Sequence, residues 1–83
     1  MPEDMPTVKR IRARLAELGT DDITIAQAVW VFGMSTAAPI RLRIERGEIS
    51  AAKVMGEWRI DVTSINAYLD KVNSQFNRHS NNH

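Results

Sequence analysis

The stretch from Thr24 to Asp61 leaves this chain few folds to choose from. Gln27 follows Thr24 by three residues, the capping-box spacing in which each side chain satisfies the other residue's backbone N–H. Ile25, Ala28, Val29 and Phe32 recur at helical spacing. Gly33 then stands where a left-handed residue ends a helix and turns the chain sharply. A second helix follows, and either Ser35 or Thr36 can cap it. Pro39 lacks an N–H and fits best within the first three helical positions, which favours Thr36 as the cap. Ala37, Ile40 and Ile44 form the inward stripe of this helix, and Gly47 ends it. Beyond it, Ala52-Lys53-Val54 and Trp58-Arg59-Ile60 flank Met55-Gly56-Glu57, a hairpin signal with Gly56 supplying the turn.

Two helices joined by a glycine turn and followed by a ribbon predict a mainly α fold with a small β-hairpin, a winged helix-turn-helix. The pattern resembles the excisionase branch of the MerR-like DNA-binding proteins. The matching pieces are Thr24, Ala28, Phe32-Gly33-Met34-Ser35, Arg41 to Gly47, Gly56-Glu57-Trp58-Arg59-Ile60 and the closing-helix residues Ile65-Asn66-Ala67-Tyr68-Leu69. The resemblance covers the middle and later half of the chain, and the wing is its most specific part. Three features depart from it: the span from Gly33 to Gly47 is one residue longer, Pro39 lies in the recognition helix, and Glu57 takes a wing position that is often basic.

On either side of this motif the chain is simpler. Residues 1–6 hold two prolines and two acids and read as a flexible arm. Val8, Ile11, Leu15 and Leu18 recur at spacings of three and four, with Lys9, Arg10, Arg12 and Arg14 on the other faces. They predict an added N-terminal amphipathic helix over 7–18, stopped by Gly19. Its apolar stripe covers one side of the core; the sharper alternatives are packing on a neighbouring subunit or recombinase, or basic residues touching phosphate. Trp30 points away from the apolar face of its helix, so it packs against the N-terminal or closing helix or meets a protein partner. Asp61 or Thr63 can cap a last helix whose stripe is Ile65, Tyr68, Leu69, Val72 and Phe76. The domain then spans 7–76, and the polar, aperiodic residues 77–83 read as a disordered tail. His79 and His83 are four apart in that tail, but no further ligand lies nearby, so no metal or other cofactor is expected.

With 83 residues the chain makes one domain, burying about 60–65% of its unfolded surface. It has no cysteine, which excludes disulfides and thiolate metal sites and suits a reducing cytoplasm. No apolar run spans a bilayer, and the acidic, proline-containing N-terminus is unlike a signal peptide. No phosphate loop, nucleophile–base pairing or carboxylate pair suggests catalysis, so a non-enzymatic protein is expected. The net charge is only +1, and its distribution matters more than the sum. Arg41, Arg43, Arg46, Lys53 and Arg59 fall in the second helix and wing, while Glu3, Asp4, Asp21 and Asp22 lie outside, predicting a polarised surface.

These residues define a candidate DNA-binding surface. Arg41, Arg43 and Arg46 can grip phosphate or read guanine in the major groove, the bland alternative being a solvated face with Glu45 and Arg46 in local pairs. Thr36, Ala37 and Ala38 start the helix and approach phosphate through backbone N–H groups, or thymine methyls. Lys53 and Arg59 flank the wing tip at Gly56, suited to phosphates beside the minor groove, while Trp58 and Ile60 share strand parity and face the core. The resemblance implies an excisionase: copies binding double-stranded DNA head to tail, bending it and directing a phage integrase toward excision. A small phage or plasmid repressor is the alternative within that class. A protein–protein interaction module working through Trp30 and the N-terminal helix is the alternative outside it.

Overall fold

The computed structural model describes residues 5–81, with side chains through residue 75. The elements are α1 (Pro6–Leu18), β1 (Asp22–Ile23), α2 (Ile25–Phe32), α3 (Ala38–Glu45), β2 (Ala51–Val54), β3 (Glu57–Asp61) and α4 (Val62–Asn81). The result is mainly helical, with one small antiparallel sheet in the order β1-β3-β2.

The local signals act largely as their chemistry dictates. Thr24 caps α2, with Gln27 N–H donating to its Oγ1 at 3.1 Å and Thr24 N–H donating to Gln27 Oε1 at 2.9 Å. Gly33 closes α2 in the left-handed region, φ 67°. A Cβ there would lie 3.4 Å from Arg14 Nη1, the end of a flexible side chain, so the backbone conformation rather than crowding disfavours a side chain. The α3 start differs from expectation. Its first residue is Ala38 and its cap position is Ala37, not Thr36, and no side chain caps it. Pro39 occupies the second helical position, where its missing N–H removes a donor that a capping hydroxyl would use.

A third strand is the main addition to the expected hairpin. Asp22 and Ile23 pair with Asp61 and Ile60, so β3 becomes the central strand, with Ala51 opposite Ile60 on its other side. Ile23 and Ile60 thereby share one face of the sheet, and both are fully buried. Above them the core is built from Ala28 and Val31 of α2, Ile40 of α3, Ile49 and, from α4, Ile65 and Leu69. Val31 thus takes a core place that its helix's expected stripe did not include, while Ile25, Val29 and Phe32 are only partly covered.

α1 packs on its own chain. Val8, Ile11 and Leu15 are buried in the common core. Arg12 donates to Asn66 Oδ1 at 2.9 Å and to Asp70 Oδ1 at 2.6 Å, both on α4. Of the arm expected over residues 1–6, the last two belong to the fold, because Pro6 begins the helix and the Met5 N–H donates to Asn73 Oδ1 at 2.9 Å; residues 1–4 lie outside the described residues. α4 is capped by Asp61, whose carboxylate accepts from Thr63 N–H at 3.3 Å. The helix continues past Phe76 to Asn81, through most of the residues expected to form a disordered tail. Once its buried first half is formed, elongation costs no further nucleation and proceeds through residues of indifferent propensity. His83 lies outside the described residues.

Candidate nucleic-acid interface

Burying Ile40 fixes the orientation of α3: Ala38, Arg41, Leu42 and Glu45, at spacings of three and four, face outward. Leu42 is 42% exposed in the middle of that face. Arg43 is turned the other way. Its Nε donates to Tyr68 Oη at 2.9 Å, its Nη1 donates to Pro39 O at 3.2 Å, and the guanidinium lies 5.5 Å from the Tyr68 ring. Tyr68 in turn meets Phe32 edge-on, with centroids 6.5 Å apart. Arg43 therefore ties α3 to α2 and α4, in contrast to its expected DNA-facing position. The sequence carried only a partial sign of this: a phenol in an apolar stripe needs a polar partner, but nothing local says which residue supplies it. Replacing Arg43 by Ala is expected to cost about 1–3 kcal/mol through the half-buried Tyr68 hydroxyl left without its donor, read as a lower urea midpoint.

Arg59 also departs from its expected role. The pairing of Asp22 with Asp61 brings Asp22 diagonally next to Arg59 on the outer face of the sheet. There Arg59 Nη2 bonds the Asp22 carboxylate and Nη1 bonds Glu57 Oε1 at 3.0 Å. The hydrogen bond to Asp22 first, and that to Glu57 next, hold its pKa above the ordinary guanidinium value. With both carboxylates in place, Arg59 contributes little net positive charge to the wing. Without a sign of β1 in the sequence, this partner could not be read from it.

Lys53 lies on the opposite face from Arg59. It pairs with Trp58, and its ammonium sits 5.4 Å from the Trp58 ring centre. Trp58 is half-buried and lines a groove with Ile25, Arg41, Ile44 and Glu45. Trp58 thus neighbours both cations, Lys53 of the wing over its ring and Arg41 of α3 in the groove that Trp58 and Arg41 line. Arg46 stands at the C-terminal cap of α3, 63% exposed, 3.9 Å from Glu48. Thr36 and Ala38 are exposed beside the start of α3, and Ala37 is half-buried. Of the five basic side chains expected to form a single surface, Arg41, Arg46 and Lys53 remain turned toward solvent, accompanied by Glu45.

The wing tip is the two-residue turn Met55-Gly56, both at positive φ, 52° and 82°, as a type I′ turn requires. No atom lies within 4 Å of a Cβ built at Gly56, so a substitution there would be opposed by backbone conformation rather than by crowding. Trp30, 44% exposed, is accompanied by Arg14 of α1, which donates to the Trp30 carbonyl at 2.7 Å and lies 5.3 Å from the indole centre. Among the described residues no group of three or more His, Cys, Asp or Glu is placed to hold a metal ion, and no helix is long and apolar enough to cross a membrane. No protein-family model, curated protein or solved structure matches the chain.

Proposed function

We propose that the chain is a small binder of double-stranded DNA with a winged helix-turn-helix fold, α2 and α3 forming the motif and β2–β3 the wing. The supporting observation is that Arg41 on the outward face of α3 and Lys53 on the wing both neighbour Trp58, the first through a shared groove and the second over its ring. A helix of this width fits the major groove, and a glycine-tipped ribbon beside it lies over the adjoining backbone. Arg41 grips phosphate or a base edge, while Lys53 and Arg46 hold phosphate. Thr36 and Ala38 lie where the helix start approaches the groove.

Three solvent-facing cations make a weak single-copy binder. With about 0.9 counterion released per phosphate, three contacts give a slope of log affinity against log salt of about −3. Useful affinity at cellular salt then calls for several copies on adjacent sites. This, with the sequence resemblance, supports an excisionase-like role, in which a row of copies bends the DNA for an integrase. Selection of bound duplexes from a random-sequence pool tests the reading. Tandem copies of one motif spaced near a helical turn are expected; an inverted repeat would point to a dimeric repressor instead.

The exposure of Leu42 in the middle of α3 favours a second reading, in which the same face binds a protein. No enrichment of any duplex, even at low salt, would replace the DNA reading with that one.

A further inference from the structure

Met55 is 100% exposed and holds a left-handed backbone, φ 52°, at the apex of the wing. Both features run against its chemistry. An unbranched apolar side chain gains nothing from full exposure, and a type I′ turn favours Asn, Asp or Gly at this position. Every other positive-φ residue among those described is glycine. Met55 is therefore a local misfit, held in place by the β2–β3 pairing on either side of it. Val54, next to it, is also exposed. The tip is thus an apolar point on a ribbon whose Lys53, two residues away, lies over the ring of Trp58, the residue that lines a groove with Arg41.

Resting on the DNA reading above, we infer that Met55 is an apolar wedge that enters the minor groove and partly unstacks one base step, so that a single bound copy kinks its duplex. Side chains of this kind, methionine included, kink DNA when pressed between base steps from the minor groove. Lys53 supplies the phosphate contact that holds the ribbon against the backbone while the tip is inserted. Pyrimidine–purine steps are the easiest to open, so the wedge also adds sequence preference at a position that no hydrogen bond reads.

The test uses the full chain and one duplex of about 30 bp taken from the random-pool selection and carrying a single copy of the motif. Affinity is titrated, and end-to-end distance is followed by energy transfer between dyes at the two ends. Met55→Asn restores the preferred turn pair Asn-Gly, so thermal stability is expected to stay level or rise. Affinity is expected to fall about tenfold and most of the bend to disappear, as a wedge that shapes its own site requires. Met55→Leu keeps an apolar tip and is expected to retain the bend. If Met55→Asn binds and bends the duplex like the parent, the wedge is refuted and the DNA reading stands. If the parent chain binds no duplex, both are refuted.

Discussion

Reversing charge at both Arg41 and Lys53, as Arg41→Glu with Lys53→Glu, is expected to lower duplex affinity by about 100-fold near 0.1 M salt. At that salt each phosphate contact is worth roughly tenfold through counterion release, and the double change removes two of three. The salt slope should fall in parallel, from about −3 toward about −1. Neither side chain holds the fold together: both are exposed, and Lys53 loses only its contact with the Trp58 ring. The thermal midpoint should therefore move by no more than about 4 °C. Fluorescence anisotropy across a salt series, with thermal melts of the same samples, measures both quantities. Preserved affinity with a preserved midpoint would remove α3 and the wing as the DNA-contacting pair. Arg43 is unsuitable for this experiment, because its loss would weaken the joint with Tyr68 and confuse a binding effect with a folding one.

The contrast between Arg41 and Arg43 marks where sequence reasoning reaches its limit. The Thr24–Gln27 cap, the Gly33 turn, the Ile40 stripe and the hairpin centred on Gly56 were legible, because each depends on residues a few positions apart. Which arginine faces outward was not, because it depends on Tyr68 lying 25 residues further along the chain. Arg59 shows the same limit. Its partner Asp22 arrives through a two-residue strand too short to carry an alternating pattern. In both cases a guanidinium counted toward a DNA surface is held by a distant group, a neutral phenol for Arg43 and a carboxylate for Arg59. The candidate surface is accordingly narrower than the arginine content of the motif suggests. Conversely, the apolar stripe that α1 buries, Val8, Ile11 and Leu15, was visible at once in its spacing, although the spacing left open whether it meets its own chain or a neighbour.

Ile60→Ala is expected to destabilise the protein by about 2–5 kcal/mol, the usual range for cutting a buried isoleucine back to alanine. Against the roughly 4–12 kcal/mol expected for a domain of this length, that is a large share. The effect should lie toward the upper end, because Ile60 is fully buried on the central strand, between Ile23 of β1 and Ala51 of β2. α2 and α4 both pack against β3, so the sheet, the motif and the closing helix meet at this strand and cannot all collapse onto the space left behind. Ile60→Val removes one methylene and should cost only about 0.5–1.5 kcal/mol. Urea unfolding followed by circular dichroism gives both values, with an unchanged slope showing that the unfolded state is the same. At low temperature, where Ile60→Val remains folded, its duplex affinity should match the parent's, since Ile60 lies on no exposed face. A loss of binding without a loss of stability in that variant would mean that β3 sets the angle between α3 and the wing more tightly than its packing implies.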